Sequence, residues 1–132
     1  MKKFIAVLLV SIAATGCSTK NVNVEPIYTV QSHPVAVASR GMSAAEVSEA
    51  IAQAAKATGW SVERISATEV KATLKWEDHA AIVSIANDDQ AFSIRNNGSV
   101  NLRDHDGLIH RRYNTHVRAL ETAIEKQLAR KS

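Results

Sequence analysis

Apolar and polar residues alternate strictly from position 69 to 76, with Val70, Ala72, Leu74 and Trp76 on one side and Glu69, Lys71, Thr73 and Lys75 on the other. A two-residue repeat of this kind marks a half-buried β-strand. With Glu77-Asp78 as a two-residue turn, the returning strand sets Trp76 opposite His79, Leu74 opposite Ala81, Ala72 opposite Val83 and Val70 opposite Ile85. With residues 87–90 as the next loop, Phe92 falls opposite Ile85 and Ile94 opposite Val83. Running back through Ser66-Ala67-Thr68 sets Val62 opposite Ala72 and Trp60 opposite Leu74. All three hairpins put their large apolar residues on one face, and a slip of one residue in any of them would move that set to the other side. The second face carries Ser61, Glu63, Lys71, Thr73, Ser84 and Arg95, with Glu63 across from Lys71 as a cross-strand pair.

The period changes on both sides of this meander. Ser43-Ala44-Ala45-Glu46 has the form of a capping box, Val47, Ile51, Ala54, Ala55 and Thr58 follow at helical spacing, and Gly59 supplies a left-handed stop. Beyond a turn at Asn96-Asn97-Gly98-Ser99 come a short candidate strand, Val100-Asn101-Leu102, and a loop, Arg103 to Gly107. A final helix is expected from Leu108, with Ile109, Tyr113, Val117, Leu120, Ile124 and Leu128 as its apolar stripe and His116 at the stripe's edge. The expected fold class is therefore α+β: a two-layer, four-stranded antiparallel meander with an N-terminal and a C-terminal helix on one face, in the order α-β-β-β-β-α. This domain occupies residues 42–132. Residues 17–41 carry Pro26 and Pro34 with no sustained pattern and read as a flexible tether, its one candidate strand at Ile27-Tyr28-Thr29-Val30.

The first residues follow a third pattern. Lys2 and Lys3 precede a weakly to strongly apolar run from Phe4 to Ala14, and Thr15, Gly16 and Cys17 come next. Such a run spans about 16 Å as a helix, roughly half a hydrocarbon core, which suits a signal peptide better than a membrane span. Ala14-Thr15-Gly16-Cys17 resembles the lipobox of bacterial lipoproteins, although leucine is commoner than alanine at its first position. The resemblance implies cleavage between Gly16 and Cys17, removal of residues 1–16, an S-diacylglycerol on the Cys17 thiol and an acyl chain, such as palmitate, on the new amino end. It also implies a membrane partner through that anchor. Ser18, where enteric-type lipoproteins retained at the inner membrane carry aspartate, implies the outer membrane facing the periplasm, or the outer face of the plasma membrane in a single-membrane host. Two or more acyl chains give stable anchoring, at about 0.8 kcal/mol per buried CH₂.

Composition adjusts this picture in two ways. Cys17 is the one cysteine, so its lipidation leaves no thiol for a disulfide, a metal or a nucleophile. Removal of Lys2 and Lys3 leaves 14 Lys+Arg against 13 Asp+Glu, so a formal charge of +3 falls to +1. The basic residues Arg111, Arg112, Arg118, Lys126, Arg130 and Lys131 crowd the last helix without interleaved stacking aromatics, so no nucleic acid is expected as a partner. A softer use of that helix is attraction to anionic lipid or wall polymer.

Candidate chemistry is sparse. His110 and His116, six apart, fall on different sides of a helix and could not share an ion. Asp104-His105-Asp106 offers three possible ligands on one loop, although Asp106 reads more simply as a helix cap. His79 lies beside Trp76 at the rim of the core face, as a packed rim histidine or as part of a ligand pocket. Arg111, Arg112 and Asn114, read as the polar side of the last helix, could hold a carboxylate or phosphate. The candidate ligand-binding residues are thus Trp76, His79, Asp104, His105 and Asp106. No metal, cofactor or catalytic residue is assigned, because no nucleophile elbow, phosphate loop or paired carboxylates occur. Residues Ser43 to Gly59, the strands, and the run Ile109-His110-Arg111-Arg112-Tyr113-Asn114 are also similar to small uncharacterised bacterial lipoproteins. The functional expectation is a non-enzymatic, lipid-anchored envelope protein, accessory or structural, that works through an envelope protein partner. The alternative is a periplasmic binding module for a small ligand, a metal or a cell-wall fragment.

Overall fold

A computed structural model describes residues 23–36 and 39–130, so the signal segment and Cys17 lie outside the described residues. The elements are β1 (Val24–Pro26), β2 (Val30–Pro34), α1 (Ala44–Ala57), β3 (Ser61–Ser66), β4 (Glu69–Trp76), β5 (His79–Asn87), β6 (Ala91–Asn96), β7 (Leu108–His110) and α2 (Arg111–Arg130). The fold class is α+β, with a five-stranded antiparallel sheet ordered β2-β6-β5-β4-β3 and a separate two-stranded sheet of β1 with β7.

The expected pairing of β4 with β5 is observed residue for residue, from Val70 opposite Ile85 to Trp76 opposite His79. Val62 also stands opposite Ala72 and Glu63 opposite Lys71, although a bulge between Arg64 and Ser66 shifts the register before Ser66 meets Glu69. The β5–β6 register differs from expectation by two residues, with Ile85 opposite Ile94 and Asn87 opposite Phe92. The cause is a tighter turn than a 87–90 loop allows. The Asp88 carboxylate accepts the amides of Gln90 (2.7 Å) and Ala91 (2.8 Å), and the Asp88 amide donates to the Ala91 carbonyl (3.1 Å). A shift of two preserves the faces, so Val70, Ala72, Val83, Ile85, Phe92 and Ile94 are all buried.

Three expectations are corrected. The sheet has a fifth strand, β2, drawn from the segment read as a tether, and its Val30 is buried opposite Ile94. Its one proline, Pro34, is tolerated because this is an edge strand, where a missing amide interrupts no ladder. Second, Val100 makes only an isolated bridge to Ala80, through bonds of 2.8 and 3.1 Å, rather than a strand. Third, the last helix begins at Arg111, not Leu108. Residues 108–110 pair with β1, and Asp106-Gly107 turns the chain, with φ of 52° and 77° between the mutually bonded His105 and Leu108. Positive φ at both central residues is the geometry of a tight hairpin turn, for which Asp-Gly is a favoured pair.

The capping box of α1 forms as expected: Ser43 Oγ accepts the Glu46 amide (3.1 Å) and a Glu46 carboxylate oxygen accepts the Ser43 amide (3.4 Å). Val47, Ile51, Ala54 and Ala55 of α1 and Tyr113, Val117, Leu120, Ile124 and Leu128 of α2 join the sheet's apolar face in one buried cluster. The alanine-rich face of α1 admits α2 and the sheet closely, and buried Ser39 donates to the Leu128 carbonyl to close the far end.

Candidate functional site

The strongest concentration of chemistry lies where the β4–β5 hairpin meets the junction of β7 and α2. Trp76 ends β4 and His79 starts β5, so pairing sets their rings side by side, 5.6 Å apart between centroids. The first two turns of α2 carry His116 against the indole at 4.5 Å. His110, the last residue of β7, stands 5.9 Å from His79. The result is a row, His116–Trp76–His79–His110. The six-residue spacing was expected to send His110 and His116 to different sides, but that argument holds only within one helix, and His110 is in a strand. They still do not face each other; each ends the row.

Hydrogen bonds set the tautomers. His79 Nδ1 lies 2.7 Å from the Asn101 carbonyl, which only accepts, so Nδ1 carries a proton, and Nε2 lies 3.4 Å from Asp78 Oδ1. Asn101, held at φ 54°, also donates its side-chain amide to the Asp78 carbonyl (2.9 Å), which ties the loop to the turn. His110 Nδ1 accepts the Arg112 amide (3.2 Å), leaving its proton on Nε2. Burial holds the His110 pKa below the ordinary 6.5, and the neighbouring His79, Arg112, Arg103 and Arg111 add to the effect. Burial, and secondarily Arg112, also lowers His116. At neutral pH these two rings, which end the row, are therefore uncharged and offer flat faces and imidazole nitrogens rather than cations. The Trp76 indole N–H is buried and has no hydrogen-bond partner among the described residues.

Glu77, Asp78 and His79 present ligand atoms within 4.8 Å of one another, so this turn contains a set that could hold a metal ion. Arg103, Arg111 and Arg112 near His110 oppose a cation there. The other expected cluster does not converge with it. His105 Nε2 meets Asp106 Oδ2 at 3.0 Å on the tip of the β7 hairpin, with both side chains more than four-fifths exposed (86% and 81%). Asp106 occupies the turn itself, not the cap of α2.

Asn114 is also relocated. Expected among the polar groups of the helix, it is 1% exposed; its Oδ1 accepts the Tyr28 amide (2.9 Å) and its Nδ2 donates to the Pro26 carbonyl (2.8 Å). A neighbouring cluster completes the joint between β2 and α2. Glu121 accepts from the Tyr28 hydroxyl (2.6 Å) and pairs with His33 Nδ1 (2.9 Å), the His33 ring stacks on Phe92 (4.8 Å), and Arg118 lies over the Tyr28 ring (4.6 Å). The acceptor from Glu121, together with burial, raises the Tyr28 pKa. Reading the sequence missed both arrangements, since their partners are 86 and 93 residues apart. A depression of about 510 Å³ is lined by Pro34, Val35, Arg40, Gly41, Asp89 and Gln90 and includes no member of the histidine row.

Comparison with protein-family models, with curated proteins and with solved structures gives no match to this chain. Among the described residues no helix is long and apolar enough to cross a membrane.

Proposed function

We propose that the chain is a lipid-anchored bacterial envelope protein, held by an S-diacylglycerol and an N-acyl group on Cys17 at the outer membrane and facing the periplasm. Its role in this reading is accessory, without catalysis, through contacts with another envelope protein. The observation that carries it is the succession Lys2-Lys3, Phe4 to Ala14 and Ala14-Thr15-Gly16-Cys17, ending on the one cysteine of the chain. The open face of the sheet supports the second half: Ser61, Glu63, Lys75 and Arg95 are exposed there, a polar surface suited to reversible protein contacts. Mass spectrometry of the amino end from native membranes tests the anchor, and free Cys17 refutes it. Crosslinking in intact envelopes tests the role, and recovery of no specific partner counts against it.

A second reading, a periplasmic binding module, is favoured by the row His116–Trp76–His79–His110 and its unpartnered indole N–H. Its test is thermal unfolding with zinc or with cell-wall fragments. A rise of several degrees that His79→Ala abolishes supports it, and an unchanged midpoint rejects it.

A further inference from the structure

The outer face of α2 carries a line of basic residues. Arg111, Arg118 and Lys126 are seven and eight residues apart, two turns each, so they lie along one exposed stripe about 22 Å long. Between them stand exposed Thr115, Ala119 and Thr122, whose short side chains let a flat partner approach the helix. Arg118, Ala119, Thr122 and Lys126, with Thr58 and Ala123, line a shallow open depression. The two acidic residues of the helix, which border this stripe on the Tyr28 side, have partners of their own: Glu121 meets Tyr28 and His33, and Glu125 lies 3.9 Å from His33 Nε2. Among the described residues no carboxylate lies within ion-pair distance of Arg111, Arg118 or Lys126. The first turn of α2 also lacks any acidic residue, where one would favour the helix dipole.

The second observation is where the chain comes in. The Arg111 amide donates to the Asn23 carbonyl (2.7 Å), so the first described residue is fixed at the amino end of α2. Cys17 precedes Asn23 by six residues, a reach of at most about 20 Å. A bilayer holding Cys17 is therefore close to Arg111, and the stripe runs on from that point.

We propose that the Arg111–Arg118–Lys126 stripe lies against the phosphodiester headgroups of an anionic phospholipid leaflet, so that the anchored domain is held in one orientation rather than swinging on its leash. This rests on the lipid-anchored reading. Each basic residue near such a surface strengthens association about fivefold, and three on one face act together once the anchor supplies the local concentration.

The test uses the natively lipidated full chain reconstituted into vesicles of phosphatidylcholine alone or with phosphatidylglycerol. A polarity-sensitive fluorophore sits on Thr122→Cys, with Lys75→Cys on the open sheet face as the comparison site. The expected result is a shift at residue 122 on phosphatidylglycerol vesicles only, none at residue 75, and reversal at about 0.5 M salt. Arg118→Gln with Lys126→Gln lowers the docked-to-undocked ratio about 25-fold; Arg111→Gln with Lys126→Gln does the same while keeping Arg118 on Tyr28, so the effect is separable from loss of that packing. An anchored protein whose residue 122 reads alike on both vesicles overturns the docking alone. A chain that leaves both kinds of vesicle overturns the anchor and the docking with it. A shift that requires anionic wall polymer added to neutral vesicles assigns the stripe to the wall and overturns the lipid partner.

Discussion

Asn114→Ala is expected to loosen the amino-terminal arm from the rest of the domain. The side chain is almost fully buried and joins two backbone groups of the β1–β2 connection to α2, accepting from the Tyr28 amide at 2.9 Å and donating to the Pro26 carbonyl at 2.8 Å. Truncation removes both bonds and leaves a donor and an acceptor with restricted access to water. A buried group deprived of its partner costs about 1–3 kcal/mol. Both backbone groups are only partly buried, which puts the expected total at about 2–4 kcal/mol. For a domain of this size that corresponds to a fall in Tm on the order of 10–20 °C. Urea unfolding followed by far-ultraviolet circular dichroism measures the first quantity, with exposed Thr115→Ala as the control on the same helix. Amide exchange locates it, since the Tyr28 N–H should lose protection before the β4–β5 amides do. Asn114→Asp separates the two bonds: it keeps the acceptor for Tyr28 and, while ionised, loses the donor to Pro26. A variant Asn114→Ala within about 0.5 kcal/mol of the parent, with Tyr28 still protected, would refute the reasoning.

Two further outcomes are expected. His110 and His116 have folded pKa values below the ordinary 6.5, so the unfolded chain takes up protons first as the pH falls. Their contribution is complete above pH 6.5 and is lost as the pH drops through the folded values. Urea midpoints at pH 7.5 and pH 5 should show the decline, and His116→Gln should flatten it; a decline equally steep in the variant sinks the assignment. Glu77 holds φ 52° in the β4–β5 turn, and its contact with Arg112 is a long, exposed one at 3.7 Å. Glu77→Gly should therefore raise stability by about 0.5–1 kcal/mol in the same urea assay, because relief of the left-handed strain outweighs the loss of a weak surface pair.

The parts of the fold legible in the sequence are those where neighbours in the chain are also neighbours in space. Val70 to Ile85 carries its register in its own alternation, and Ser43 with Glu46 announces the start of α1. The turn at Asp88 was misjudged because its length depends on a carboxylate bonding back to two amides, which composition alone does not reveal. Residues 24–34 have prolines and no alternation, as an edge strand can, and their pairing with positions near 94 and 110 leaves no local trace. Ile109 fitted the helical stripe of Tyr113 and Val117 equally well as a strand residue, so the Asp106-Gly107 hairpin was absorbed into a helix. At the candidate site, Trp76 and His79 follow from the register, whereas His110 and His116 join them only through the strand before α2. The Asp104-His105-Asp106 run looks like a ligand set because three donor residues are adjacent, but two of its side chains point into solvent on a turn.

Closure of the first described strands onto the last ones also orders events in time. Ser32 bonds to Ser93 and Tyr28 to Asn114, partners separated by 61 and 86 residues, while the β3–β6 hairpins pair neighbours in the chain. A polypeptide emerging amino end first thus exposes its leading arm long before that arm's counterpart exists, and the central hairpins can assemble while it waits. The arm then docks as a final latch, and a chain cut short before β6 would leave that latch with nothing to catch.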